Sequence, residues 1–545
     1  MSRRILVAVA WPYASGSLHL GHLGGAYLPP DIFARYHRLA GNDVLMVSGS
    51  DANGTPITVK ADQLGITPRE VVDRYHPEIV GYWKSLGIDF DLFTTTMTDN
   101  HHRVVQDFFL RLLENGYLEK GSSKQFYDPD AGRFLPDRYV EGTCPHCGYG
   151  EARGDQCDNC GRTLDPTDLI DPRSKLTGAK PETRETEHYF LQLPALADQV
   201  RTWLESREGW RKHVRNWALG MLEDIPERAI TRDIEWGVEL PVDDLGPGKR
   251  IYVWFDAVIG YLSASIEWAA MSGEPEAWKS WWHDPAAESY YFIGKDNIPF
   301  HAVIWPAMLL GHGGLNLPTD VPANQYITFK GAKASKSMGV GRSIGWYAER
   351  LQPDALRYAI ASVLPEQSDT DLSDEEIIRR VNEELVATWG NLVNRVLTMS
   401  AANFDGAVPR PGDLTESDRE ILDLGPRVLD AVGEEIERVE LRAGLRTAME
   451  AASEVNTYLN AEEPWKVVKE DPGRAGTVLW AAIQAISAIR TALTPYLPFS
   501  SRQIGEMLGI DRELNSWRAV EVAGGTRLGD IRPVYTKLED DALSD

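Results

Sequence analysis

The 545-residue sequence is short of four things: cysteine, long apolar runs, positive charge and internal repetition. No apolar run reaches the roughly 18 residues of a membrane span, so no membrane partner is expected. The start, Met-Ser-Arg-Arg followed by apolar residues 5–11, imitates a secretory signal. Pro12-Tyr13 ends that stretch early and no small-residue cleavage site follows, so it is expected to be a buried first strand of a cytoplasmic protein. Against 56 Lys and Arg stand 81 Asp and Glu, a net charge of −25. That balance excludes sequence-independent coating of DNA, and any nucleic-acid role must rest on motifs. Apolar residues at 43% and charged residues at 25% exclude a disordered chain and leave material for sizeable cores. At about 150 residues per domain, the length suggests three or four domains.

All four cysteines fall within seventeen positions, as Cys144-Pro-His-Cys147 and Cys157-Asp-Asn-Cys160, each pair followed by glycine (Gly148, Gly161). A two-residue gap lets both thiolates of a pair face one metal, with the glycine permitting the turn behind them. Two pairs make a closed tetrahedral site, which points to one structural Zn2+ rather than a catalytic one. Two disulfides are the competing arrangement, and a reducing compartment disfavours them. His146, between ligands, is treated as a bystander.

Periodicity predicts alternating strands and helices first, then helices only. Strands are expected at 5–11, 44–48, 251–255, 290–293 and 325–329. Helices are expected from a cap at Ser17 through residue 36 with a break at Pro29-Pro30, then at 68–86, 99–115 and 299–310. The stretch 118–230 is turn-rich and reads as an insertion. This is the rhythm of a doubly wound parallel α/β sheet of Rossmann type, split by a zinc-binding insertion and followed by an all-α bundle. The expected domains are a first catalytic half (1–117), the insertion (118–230), a second catalytic half (231–330), a lysine-loop and stem-contact region (331–374), a helical domain (375–520) and a tail (521–545) with a loose end. The acidic stretch 366–384 reads as a solvated linker and helix face.

In such a sheet, ligands bind beyond the carboxyl ends of strands. After the first strand come Trp11-Pro-Tyr13 and then His19-Leu-Gly21-His22. The histidines, three apart, share one face of a helical turn, where backbone N–H groups favour anions, and Gly21 lets a phosphate or flat ring approach. After the late strand comes Lys330-Gly-Ala-Lys333-Ala334-Ser335-Lys336-Ser337, a cationic loop able to close on a polyphosphate. Either motif alone is ordinary surface polarity; the pair, one in each half of a sheet, is not.

With these residues the sequence resembles the class I aminoacyl-tRNA synthetases. His19-Leu-Gly-His22 is similar to their HIGH motif and Lys333-Ala-Ser-Lys336-Ser to their KMSKS loop, with Ala334 in place of the usual Met. Within that class it resembles the methionyl family with a single zinc knuckle. Trp11-Pro-Tyr13, Ser50 to Pro56, Tyr252 to Ala257, Phe292 to Asp296 and Phe300-His301 carry the likeness, which runs from residue 5 to about 500.

The resemblance implies a ligase that joins methionine to ATP as methionyl-adenylate and then passes it to tRNA(Met). His19, Gly21, His22, Asp296, Lys333, Ser335 and Lys336 would bind ATP, with His19, His22, Lys333 and Lys336 acting on its phosphates. Mg2+ would travel with the ATP. Trp11, Tyr13, Trp254, Ala257, Tyr261, Phe300 and His301 would wall the methionine pocket, and Asp51 would bind the ammonium. Val258 stands where related enzymes often have Pro. Arg232 resembles a family position of unassigned role and serves equally as a structural ion pair. Asn391, Arg395 and Trp465 would read the CAU anticodon. Another class I synthetase and a non-catalytic tRNA-binding paralogue remain alternatives. Residues 118–230 are too short for the large editing insertion of the Leu, Ile and Val enzymes. A monomer is expected.

Overall fold

The computed structural model describes residues 2–154, 157, 159, 160, 162, 164–329, 332, 333 and 342–544, apart from the side chains of 137, 332 and 333. Five strands form the central sheet: Arg4–Val9, Asp43–Ser50, Leu92–Thr95, Glu288–Gly294 and Ala323–Asn324. They lie in the order fifth, fourth, first, second, third, and every pairing is parallel. Ile5 to Val9 are all buried, which is why the run is continuously apolar rather than alternating. The winding reverses between the first and fourth strands, and beyond their carboxyl ends lies the ligand crevice of such a sheet.

Several local expectations need correction. Residues 251–255 are not a central strand. Lys249–Ile251 pairs antiparallel with Thr231–Asp233 outside the central sheet, and a 19-residue helix, Val253–Met271, begins at once. That helix is buried nearly all round, so over five residues its apolar run imitates a strand. The expected strand 325–329 narrows to Ile327–Phe329, which is not in the central sheet. Ala323–Asn324 closes the central sheet, while Ile327–Phe329 joins a small separate sheet with Ala332–Lys333 and Thr370–Asp371. The first helical turn is capped by His19, not Ser17. The irregularity falls at the π turn Leu23–Tyr27, just ahead of Pro29-Pro30, which sit in the opening turn of Leu28–Leu39 where proline is tolerated.

The insertion leaves and rejoins the catalytic body through a long antiparallel ladder, Leu118–Asp128 against Glu182–Leu191. Its tip holds the cysteines and has its own small core of Phe126, Leu135, Tyr139, Val140, Ala152 and Leu169. Two helices follow, Leu193–Glu205 and Lys212–Met221.

The C-terminal half is helical from Asp374–Arg379 to Pro498–Leu508. Pro472–Leu493 is long and apolar enough to cross a membrane, yet 89% of its most apolar stretch is buried inside the protein as the bundle's central helix. Several acids of 366–384 are paired as well as solvated: Asp369 with Lys295, Asp374 with Arg342, and Glu376, Glu383 and Glu384 with Arg379. The tail is not loose. Tyr535 is buried and donates to Ser500 Oγ at 2.8 Å, and Leu543 O accepts from Arg342 at 2.6 Å.

Candidate active site

The two histidines are locked into their turn by their own side chains. His19 Nδ1 accepts from Gly21 N (3.1 Å) and His22 Nδ1 accepts from His19 N (3.2 Å), with the ring centroids 3.9 Å apart. Because each Nδ1 is an acceptor, a neutral ring carries its proton on Nε2, which becomes the donor.

Lys336 and Ser335 lie outside the described residues, as does the Lys333 side chain. The segments flanking that loop are placed. On the upstream side, Ile327 lies against the histidine turn: a Cβ on Gly24 would collide with the Ile327 side chain, and one on Gly21 would sit 3.6 Å from Ile327 O. On the downstream side, Ser343 bridges His19 in antiparallel fashion, and Ile344 N donates to Leu18 O at 2.8 Å. The lysine segment therefore departs from and returns to the histidine turn, although its preceding strand is not part of the central sheet.

The expected pocket walls come from three distant segments and meet. Trp254 stacks on Phe300 (4.2 Å, 10°) and meets Tyr13 edge-on at 6.2 Å. Trp11 meets Tyr261 edge-on at 6.5 Å. Trp11 fits because two glycines make room: a Cβ on Gly49 would collide with its ring, and one on Gly260 would lie 2.7 Å away. Tyr261 Oη lies 2.7 Å from His301 Nε2, and His301 Nδ1 lies 2.9 Å from Asn297 O. A carbonyl only accepts, so Nδ1 holds the proton and Nε2 accepts from the tyrosine. Burial pushes His301 down to about 4, against the pull of the Asn297 carbonyl, so the ring is neutral. Ala257 and Val258 are buried beside these rings, and Val258 keeps the helix regular.

Asp51 closes the second strand, where it pairs with Tyr13 across adjacent loops. Tyr13 lies flat enough on Gly54 that a Cβ there would collide with its ring. Asp51 is 2% exposed. Burial lifts its carboxyl to about 7, opposed by backbone N–H donors of Asn53 and Gly54 and by the charge of Arg138. A second carboxyl, on Asp256, has no exposure and is held well above its ordinary range, first by burial and then by the Asp51 charge. Asn53 links them: its N–H donates to Asp51 Oδ1 (3.1 Å) and its amide to Asp256 Oδ2 (3.1 Å). Asp51 has the backbone donors and the cation, so it is the first of the pair to ionise and Asp256 keeps its proton. Asn53, Asp256 and Arg138 were not assigned from sequence. For Asp256 there was a signal, an acid inside an otherwise apolar helix; for Arg138, in a turn-rich segment, there was none.

Asp296 is exposed at the crevice mouth and accepts from the Tyr326 hydroxyl. Arg232 lies over the Tyr252 ring (4.0 Å) and donates to the Ala229 and Thr231 carbonyls. Its neighbour Asp233 pairs with Lys249 at 2.7 Å.

The four thiols are free, and their sulfurs lie within 4.8 Å of one another. Cys144 to Cys160 is 3.9 Å and Cys147 to Cys157 is 3.6 Å. A tetrahedron with metal–sulfur bonds of about 2.3 Å has sulfurs about 3.8 Å apart, so the spacing fits zinc. Gly148 takes φ +73° behind the first pair, the left-handed turn that glycine supplies there.

In the helical domain, Arg395 lies over the Trp465 ring at 5.4 Å and donates to Asn456 Oδ1 at 2.9 Å. Asn391 is exposed one turn earlier on the same helix, and Trp465 is half-buried rather than fully exposed. Asn456 had no sequence signal.

A Rossmann-type sheet with a self-capped His-x-x-His turn at its switch point, an inserted cysteine knuckle and a trailing helical bundle defines a class I aminoacyl-tRNA synthetase. Residues 5–397 match the family described as tRNA synthetases class I (M), and residues 408–541 match the anticodon binding domain of methionyl tRNA ligase. A methionine–tRNA ligase of Roseiflexus castenholzii is 54% identical over 521 residues, covering 93% of this chain and 87% of the relative. One from Cutibacterium acnes is 48% identical over 578 residues, covering 99% and 96%. Methionyl-tRNA synthetase of Mycobacterium tuberculosis, solved in complex with methionyl-adenylate, superposes with a TM-score of 0.81 at 26% identity, covering 98% of this chain and 100% of that one. The chain belongs to the methionine–tRNA ligase family.

Proposed function

We propose that this chain charges tRNA(Met) in two steps in the crevice between the first and fourth strands. The observation that carries the assignment is the anchoring of both ends of the lysine segment on the histidine turn, beside a pocket of aromatic rings and a buried carboxylate. In the first step, a methionine carboxylate oxygen attacks the α-phosphorus of ATP, and the bond to pyrophosphate breaks. The Nε2–H groups of His19 and His22 donate to phosphate oxygens, Gly21 admits the nucleotide, and Asp296 stands at the nucleotide side. Lys333 and Lys336, with Ser335, neutralise the departing pyrophosphate. Mg2+ arrives with the ATP. In the second step, a ribose hydroxyl of the terminal adenosine attacks the carbonyl carbon, its bond to the phosphate oxygen breaks, and AMP leaves. No covalent enzyme intermediate forms; the chain acts by positioning and charge stabilisation.

Asp51 holds the substrate ammonium. Trp11, Tyr13, Trp254, Ala257, Tyr261, Phe300 and His301 enclose the side chain. The Tyr261–His301–Asn297 relay satisfies its own polar atoms, so a thioether can lie against it without leaving a donor unpaired. Asn391, Arg395 and Trp465 read the CAU anticodon by stacking and hydrogen bonding. One Zn2+ on Cys144, Cys147, Cys157 and Cys160 holds the knuckle together, and no step passes through it. The chain acts as a monomer in the cytoplasm, away from membranes.

Exchange of labelled pyrophosphate into ATP, run with each amino acid in turn, tests this. Methionine alone should support full exchange, with homocysteine entering partly, since one methylene discriminates by only about 1–3 kcal/mol. Exchange independent of methionine, or none, would refute it.

A further inference from the structure

Beside the buried carboxylate of Asp51 stands a positive charge that does not come from the catalytic body. Arg138 belongs to the short 3-10 turn Asp137–Tyr139 of the insertion, and its guanidinium lies 5.9 Å over the Tyr13 ring. Tyr13 is itself tied to Asp51: the two residues bridge in parallel fashion, with Asp51 N donating to Pro12 O (2.8 Å) and Ala14 N donating to Asp51 O (3.0 Å). The chain on both sides of Arg138 is docked on the catalytic body. Tyr139 is buried and donates to Asp62 Oδ2 at 2.6 Å. Arg133 lies over the Tyr139 ring at 5.2 Å and pairs with the same Asp62 carboxylate at 3.2 Å. Asp62 lies on the helix Thr55–Leu64, which follows Asp51 in the chain. Burial lifts the Asp51 carboxyl and the Arg138 charge is among the influences that oppose it, so the two groups act on each other through protein interior rather than bulk water.

Methionine arrives as a zwitterion, and the pocket described so far answers half of its charge. Asp51 meets the ammonium. Around the side chain stand five aromatic rings, Ala257 and His301, and burial keeps the His301 ring neutral. The carboxylate has to approach the α-phosphate of ATP, one anion moving toward another, and a cation beside it removes that repulsion. An α-amino acid carries its two charges on neighbouring positions, so the cation that recognises the acid must stand near the carboxylate that recognises the amine. Arg138 and Asp51 form such a pair, and the guanidinium fork matches the geometry of a carboxylate. We propose that Arg138 binds the carboxylate of methionine while Asp51 binds its ammonium, so that the insertion supplies a substrate-binding residue to the crevice. One carboxylate oxygen stays on the guanidinium while the other attacks phosphorus and pyrophosphate leaves. The proposal rests on the aminoacylation assignment above and adds to it the group that recognises the acid function of the substrate.

The test compares two ligands that differ in the acid function alone. Methioninol keeps the ammonium and the thioether of methionine and carries a neutral hydroxymethyl group in place of the carboxylate. Binding of each is read from the tryptophan fluorescence of the pocket, where Trp11 and Trp254 stand, in the parent, Arg138→Gln and Arg138→Lys at equal metal content. Arg138→Gln should weaken methionine about tenfold to a hundredfold, the loss expected for one hydrogen-bonded charge pair. It should leave methioninol within about twofold, or bind it more tightly, because the guanidinium no longer competes with the ammonium for Asp51. Arg138→Lys, which keeps the charge, should recover part of the methionine affinity. Unchanged methionine binding by Arg138→Gln would overturn the proposal. So would an equal weakening of both ligands, which would limit Arg138 to holding Tyr13 and Asp51 in place. Absence of methionine-dependent pyrophosphate exchange in the parent protein is a different result and would remove the aminoacylation assignment itself.

Discussion

At the scale of single residues, the buried carboxyl pair makes methionine binding a proton-linked event. Burial holds Asp51 at about 7 against an ordinary value of 3.8. In the empty enzyme the folded state therefore binds a proton more readily than the unfolded chain, and this group's contribution to stability declines as pH rises from about 4 to about 7. A substrate ammonium favours the carboxylate and reverses that loss. The KM for methionine in pyrophosphate exchange should fall as pH rises from 6 to 8, with proton release on binding below pH 7, measurable by calorimetry in two buffers. A flat profile over that range would exclude Asp51 as the ammonium partner. The glycines around Trp11 give a second prediction. Gly49→Ala places a Cβ into the indole and within 2.6 Å of Thr94 O, so neither side can yield cheaply. It should cost about 1–3 kcal/mol of stability, read by denaturant unfolding, and raise the KM for methionine while leaving the KM for ATP nearly unchanged.

At the scale of elements, the cysteine knuckle reaches the catalytic body through side chains. Tyr139 donates to Asp62 (2.6 Å) and Arg133 pairs with it (3.2 Å), Asp62 lying on the helix Thr55–Leu64 that follows Asp51. Arg138, from the same insertion, stands 5.9 Å over Tyr13 and acts on Asp51 by its charge. Removal of the metal by a strong chelator should free four reactive thiols and open the insertion to proteolysis between about 140 and 175, because its separate core is too small to hold without the metal. The central sheet should stay folded by circular dichroism, and the KM for methionine should rise as Arg138 loses its place. Retention of a protected insertion after complete metal loss would contradict this.

At the scale of the whole molecule, the catalytic body and the helical bundle are joined by a buried charge. Arg357 has no exposure and donates to Asp31 Oδ2 at 2.7 Å and to the carbonyls of Leu86, Pro495 and Tyr496. Burial alone would raise the Asp31 carboxyl, but Arg35 and Arg357 together hold it below its ordinary value. Arg357→Met leaves the Asp31 carboxylate with Arg35 as its one remaining cation and strands three carbonyls, and should cost about 3–5 kcal/mol in chemical denaturation. The bundle's own role is separable from chemistry: Trp465→Ala should leave methionine-dependent exchange intact and cut tRNA charging about tenfold or more, as the loss of one stacked base predicts. Equal loss of both activities would show that Trp465 serves the fold instead.

Motifs whose chemistry depends on near neighbours were legible without coordinates. The cysteine pairs, the His-x-x-His turn and the apolar first strand each state their geometry within a few residues, because metal spacing, helical periodicity and strand burial are local properties. The parallel, doubly wound character of the sheet was legible in the β-α rhythm, while the order of its strands was not. What needed tertiary structure were the properties set by distant segments. A five-residue apolar run is the same string whether strand or helix, so residues 251–255 read as a strand by themselves, and only packing decides for the longer helix Val253–Met271. The proton on Asp256 depends on the charge of Asp51, more than two hundred residues earlier, and that charge in turn on Arg138 from an insertion with no visible catalytic pattern. A pKa is a sum over everything within a few ångströms, and the fold alone decides what that everything is.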